Sequence, residues 1–212
     1  MRPAYAPWTL DRSRGTPHDH RMPVRVTLLA AARSASLLAE RFDDDRPLDH
    51  TGWHEVEMAS PALVPLAAAE LRYCAPTARS RGTAEALGLA PLAQLALRDC
   101  DMGRWRGRTL AEVTAVEPGA VDAWLRDPRS APHGGESLLA FISRVGGWLD
   151  TRPNDDGATV VAVAEPAVVR AALVYALKAP PSTYWNIDVR PLSAAVLTGS
   201  AGRWSVRLDA AV

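Results

Sequence analysis

Lysine is almost missing from this chain. Of its 212 residues, 24 are basic and 24 acidic, and only Lys178 among the basic ones is not arginine. The formal charge is zero, so no excess of positive charge marks a nucleic-acid or anionic-membrane footprint. Two cysteines, Cys74 and Cys100, exclude a disulfide framework and suit a reducing cytosol. No apolar run reaches the roughly 18–20 residues that a membrane helix needs. The arginine-bearing N-terminus lacks the apolar segment of a signal peptide, and repeats and low-complexity tracts are absent. A soluble, cytoplasmic globular protein is expected, binding neither nucleic acid nor membrane, with one full-sized core.

What is present alternates between two periods. Residues 1–22 hold Pro3, Pro7, Pro17 and scattered arginines without periodicity, an irregular leader. Its His18-Asp19-His20 is too short a spacing in too irregular a segment to expect a metal site. Val24–Ala30 is a β-branched apolar run that stops at Ala30-Ala31-Ala32-Arg33, and helical spacing follows over Ser34–Phe42. A helical stretch within Trp53–Glu70 is expected to break near Pro61 and Pro65. Leu71–Cys74 reads as a strand, and Pro76–Gly88 as a helix with Pro in its first turn and Gly as its stop. Leu95–Asp99 reads as a strand or extended segment. Thr109–Val116, Pro118–Leu125 and the amphipathic Glu136–Leu149 read as helices. Ala158–Ala164 is wholly apolar, the mark of a central parallel strand. Pro166–Leu177 is the next helix, and Val189–Thr198 with Arg203–Leu208 forms a closing hairpin. The pattern predicts an α/β fold: a mostly parallel sheet with helices on both faces and an antiparallel C-terminal end. One domain over residues 23–212 is expected.

Five stretches in order carry a resemblance: Leu28-Leu29-Ala30-Ala31-Ala32, Cys74-Ala75-Pro76-Thr77-Ala78-Arg79, Gly103-Arg104-Trp105-Arg106-Gly107, Pro132-His133-Gly134-Gly135-Glu136-Ser137 and Val163-Ala164-Glu165-Pro166-Ala167-Val168-Val169-Arg170. Together they resemble the histidine phosphatase superfamily, the phosphoglycerate mutase-like fold, over residues 24–208. In that family a histidine at the end of the first strand attacks the phosphoryl group. Arginines and a second histidine hold the phosphate oxygens, and a glutamate protonates the leaving oxygen. The resemblance implies no cofactor and no metal. It places Ala31 at the nucleophile, Ala30 at its arginine partner, Glu165 at the second histidine and Arg106 at the acid. Of the phosphate pocket, Arg79 is retained.

These departures have chemical consequences. Alanine has no lone pair, so no phosphoenzyme forms at position 31. A carboxylate at 165 repels a phosphate dianion, and an arginine at 106 cannot donate a proton near neutral pH. Arg79 is either an anion anchor or the ion-pair partner of Glu165. Arg106 and Glu165 are expected to face each other, as a structural ion pair or as a new catalytic pair. Arg33 and Ser34 lie in the loop at the mouth of the pocket. His133 reads as an exposed loop residue, Cys74 and Cys100 as buried thiols, Trp105 as packing, and Arg170 as a salt-bridge partner. Glu136-Ser137 reads as a helix start.

Three functions remain open at this level. One is a pseudoenzyme without phosphatase or mutase activity, binding a small anionic metabolite or a protein partner through a remodelled cleft around Arg79, Arg106, Glu165, Arg33, Ser34 and Ala31. The second is an enzyme of different chemistry, with Glu165 as acid or base and Arg79 and Arg106 holding an oxyanion or carboxylate. The third is an active phosphatase whose nucleophile is His18, His20, His50, His54 or His133, none of which follows a buried strand.

Overall fold

A computed structural model describes residues 23–34, 41–42, 45–152 and 157–208. The leader 1–22, with His18 and His20, and most of the helix expected over Ser34–Phe42 lie outside the described residues. Six strands form one sheet: β1 (Val24–Ala30), β2 (Leu71–Cys74), β3 (Leu92–Ala93), β4 (Thr159–Ala164), β5 (Ala194–Ser200) and β6 (Arg203–Leu208). Their order is β3-β2-β4-β1-β5-β6. The first four in that order run parallel, and β5 pairs antiparallel with both β1 and β6.

The two central strands explain their own composition. Val26, Leu28 and Ala30 of β1, with Val160, Ala162 and Ala164 of β4, face the main core under α5 (Leu138–Asp150) and α6 (Pro166–Ala176). Their alternates Leu29, Val161 and Val163 face a second cluster with Val56 and Leu63 of α1 (His50–Leu63) and Ala84 of α2 (Ala78–Ala86). Strands covered on both faces need apolar side chains at every position. Each fully buried Val or Leu contributes roughly 1.5–3 kcal/mol. A third cluster gathers Met102, Trp105, Val113, Val121 and Trp124 around α3 (Leu110–Val116) and α4 (Pro118–Arg126). Thr109 and Glu112 start α3 with a reciprocal capping box.

Four boundaries differ from the sequence reading. The first helix passes through Pro61 to Leu63 before tightening into a 3-10 turn over Val64–Ala68. A proline this near a C-terminus removes one late hydrogen bond, while the Asp49 cap on Gly52 N–H (2.7 Å) and buried Val56 and Leu63 hold the helix. Thr77, not Pro76, starts α2: its hydroxyl accepts from Ser80 N–H, so Pro76 lies before the cap. The expected Leu95–Asp99 strand is a 3-10 turn at Leu95–Leu97 that buries Leu97, and the edge strand is the two-residue Leu92–Ala93. The last hairpin begins at Ala194, not Val189, because Leu192 adopts φ +60° and leaves the extended ladder.

Candidate functional site

The carboxyl ends of β1 and β4 lie side by side, Ala30 paired with Ala164 and Ala31 N–H donating to Ala164 O at 2.8 Å. Ala31 and Glu165 are therefore neighbours at the end of the sheet where α/β folds hold ligands. Backbone bonds fix the chain leaving β1: Leu192 N–H donates to Ala30 O (3.0 Å), and Ala32 N–H donates to Thr83 Oγ1 (3.1 Å). Ala31, Ala32 and Ser34 are fully buried.

Glu165 stands at the N-cap of α6 with an extended backbone, yet its carboxylate does not cap that helix. It crosses to the start of α2. There Oε1 accepts from the Thr77 hydroxyl (2.6 Å) and the Ser80 hydroxyl (3.1 Å), and Oε2 forms an ion pair with Arg79 Nη2. Glu165 is 1% exposed. Arg79 donates its other terminal nitrogen to Ser34 Oγ at 2.9 Å. Arg79 occupies the second position of α2, where helical side chains tilt back toward the N-terminus and so toward the strand ends. Glu165 thus meets positive ends of two helix dipoles as well as a guanidinium.

The expected pairing of Arg106 with Glu165 is corrected by this geometry. Arg106 follows the 3-10 turn Gly103–Trp105, whose Trp105 is fully buried, so the next residue projects outward and is exposed. It lines a polar cleft of about 260 Å³ with Thr77, Arg98, Asp99, Asp101 and Asp45. This cleft adjoins the Glu165–Arg79 pair through Thr77. Its floor depends on two loops in close backbone contact. A Cβ at Gly103 would stand 2.3 Å from His133 O, and one at Gly135 would stand 2.0 Å from Asp101 O. Only glycine fits at either place.

His133 is another correction. It is buried, its ring 5.0 Å from that of Trp105, and Nδ1 accepts from Gly135 N–H. Burial lowers its pKa below the usual histidine value. His50 and His54 are exposed on α1, and His54 lines a surface pocket with Arg33, Leu192 and Ser193. Arg33 pairs with Glu55 at 2.9 Å on the rim. Ser137 caps α5 through Ala140 N–H, and Glu136 lies before the helix and pairs with Arg144 at 2.6 Å. Cys74 is buried and Cys100 half-buried, and burial raises both thiols. Arg170 makes no salt bridge with a carboxylate among the described residues; its guanidinium lies over the Tyr184 ring at 5.0 Å. Among the described residues, no three His, Cys, Asp or Glu side chains are grouped to hold a metal ion, and no helix is long and apolar enough to cross a membrane.

A profile of the histidine phosphatase superfamily (branch 1) matches residues 39–210, starting beyond the alanine-bearing end of β1. Glucosyl-3-phosphoglycerate phosphatase of Mycolicibacterium vanbaalenii is 40% identical over 99 residues, covering 43% of this chain and 44% of that protein. The Mycobacterium tuberculosis protein of the same name is 33% identical over 153 residues, covering 68% and 67%. The chain spans 44% to 53% of the length of the first curated relatives it matches. A solved mycobacterial glucosyl-3-phosphoglycerate phosphatase in complex with VO3 superposes with a TM-score of 0.72 at 25% identity, over 89% of this chain and 99% of that one.

Proposed function

The chain belongs to the histidine phosphatase superfamily (branch 1), and from that premise we propose that it does not transfer phosphoryl groups by the phosphohistidine route and instead holds a small ligand in the cleft beside the former phosphate position. One observation carries this reading. Beside Ala31, which the motif resemblance puts at the nucleophile position, the Glu165 carboxylate is bound by Arg79, Thr77 and Ser80. A side-chain anion occupies the anion position.

Each chemical role of the family then lacks its group. Ala31 offers no lone pair for attack. Arg106 is exposed on the cleft wall, and a guanidinium is not a proton donor to a leaving oxygen near neutral pH. The reading of Glu165 as a base in new chemistry is disfavoured by its bonding. Both oxygens accept hydrogen bonds inside the protein, and burial keeps the carboxylate from substrate. What stays open is the polar cleft, lined by Arg98 and Arg106 together with Asp45, Asp99 and Asp101, and it is there that the proposal seats a small anionic metabolite.

The names of the relatives favour a second reading, hydrolysis of a sugar phosphate such as glucosyl-3-phosphoglycerate. The two are separated by assaying release of phosphate from p-nitrophenyl phosphate and from glucosyl-3-phosphoglycerate, with parent, Arg79→Ala and Glu165→Gln. Loss of a nucleophile from a concerted set removes most of the rate enhancement, so no release above the variants' background is expected. Turnover in the parent that disappears in Arg79→Ala would overturn the proposal.

A further inference from the structure

Where the main core meets the aromatic cluster of α3 and α4, packing is incomplete. A cavity of about 200 Å³ lies between Phe42, Trp124, Phe141, Tyr184 and Trp185, with Arg41, Asp99, Cys100 and Arg170 on its walls. Its rings form a connected series, Phe42 against Trp124 at 5.7 Å, Trp124 against Trp185 at 4.7 Å, Trp185 against Tyr184 at 5.0 Å, and Tyr184 against Phe141 at 6.3 Å. All four contacts are edge-to-face, the arrangement aromatic rings prefer. Cavities at the junction of two packed units are common ligand sites.

Arg170 supplies the second observation. It is half-buried, has no carboxylate partner among the described residues, and its Nε is buried without a hydrogen-bond acceptor. The nearby Arg41 is differently placed, since Gly107 O and Glu112 both accept from it. Asp99 lines the same cavity and accepts Cys100 N–H on its Oδ1 at 2.7 Å. A buried guanidinium N–H without an acceptor favours a ligand that supplies one. The cavity therefore presents aromatic walls and, over the Tyr184 ring and sharing the lining with Asp99, an arginine whose Nε lacks an acceptor.

We propose that this cavity is a binding site for a small planar aromatic acid, its ring among Trp124, Trp185 and Tyr184 and its carboxylate on Arg170. A space of about 150 Å³ lined by apolar side chains accommodates benzene, so this one admits a single ring with its acid group. The cavity shares Asp99, Cys100 and Met102 with the polar cleft. The inference thus deepens the reading of this protein as a ligand binder, and rests on it.

Benzoate is the probe, read by quenching of the tryptophans that line the site. Saturable binding is expected with Kd on the order of 0.1–1 mM, the range open to a ligand of about nine heavy atoms. Cyclohexanecarboxylate, with the acid but no flat ring, and benzamide, with the ring but no charge, are each expected to bind about tenfold more weakly. Arg170→Gln is expected to weaken benzoate about tenfold while leaving benzamide unchanged. Trp185→Leu tests the ring wall should the Arg170 variant fail to fold. Equal binding of benzoate and cyclohexanecarboxylate, or no saturable binding, would overturn the assignment. Phosphatase turnover that requires Arg79, with selective benzoate binding retained, would instead overturn the proposed function and leave the site standing.

Discussion

Glu165 and Arg79 define the chemistry of this protein at the scale of single residues. The pair is nearly removed from water, the Arg79 side chain 9% and that of Glu165 1% exposed. A pair so placed contributes little net stability, but removing one partner strands the other charge. Glu165→Ala is therefore expected to lower unfolding stability by about 3–5 kcal/mol in urea titrations. The paired Arg79→Met with Glu165→Leu is expected to return to within about 1 kcal/mol of the parent. An effect of the single change below about 1 kcal/mol, the level of an exposed pair, would show that water reaches the carboxylate. The Arg79–Glu165 pair was legible in the sequence as one of two readings of Arg79. What misled was Arg106, expected to face Glu165, because alignment gives positions and not side-chain directions. Arg79 tilts toward the strand ends from the start of α2, whereas Arg106 is turned outward by the burial of Trp105 next to it. His133 escaped for a similar reason, since a single loop histidine has no periodicity to reveal that Trp105 covers it.

At the scale of elements, Asp150 ties three pieces together. At the end of α5, its carboxylate accepts from Tyr175 of α6 (2.5 Å), from Gly202 N–H in the β5–β6 turn (2.7 Å) and from Trp204 of β6 (2.9 Å). Burial pushes its pKa up, but the hydrogen bonds from Trp204, Tyr175 and Gly202 outweigh it and hold the carboxyl below its usual value. A lowered carboxyl pKa stabilises the fold at pH above the unfolded-state value, and that contribution fades as pH falls through the folded-state value. Asp150→Asn is expected to lower the melting temperature by several degrees at pH 7, as loss of charged hydrogen bonds of about 1.5–3 kcal/mol requires. The difference from the parent is expected to shrink toward pH 3. A constant difference across that range would show that the charge has no part. Most elements were legible because strands buried on both faces and amphipathic helices write their periods plainly. The misread ones, Leu92–Leu97 and Val189–Ser193, are short, and their geometry is set by what they pack against. The end of α1 differed because burial of Val56 and Leu63 outweighed a proline.

At the scale of the whole molecule, the family's architecture is retained from β1 to β6. Its sheet is blunted at both edges, by the brevity of β3 and by the exposed Arg203 and Arg207 on β6. Order along the chain made that architecture legible: five weak motifs in sequence outweigh any one of them. The cavity beside Arg170 was not legible, since Phe42, Trp124, Phe141 and Tyr184 come from four separate stretches that only folding assembles.

The tie between Glu165 and Arg79 has a last consequence, for how the protein senses its surroundings. A carboxylate tethered in place competes as if present at very high effective concentration, so it acts as a ligand that never leaves. On the proposed reading, millimolar phosphate is expected not to displace it. Phosphate is expected to leave the melting temperature of the parent unchanged, and to raise that of Glu165→Ala through mass action on the vacated anion seat. A rise in the parent itself would mean that the seat is empty.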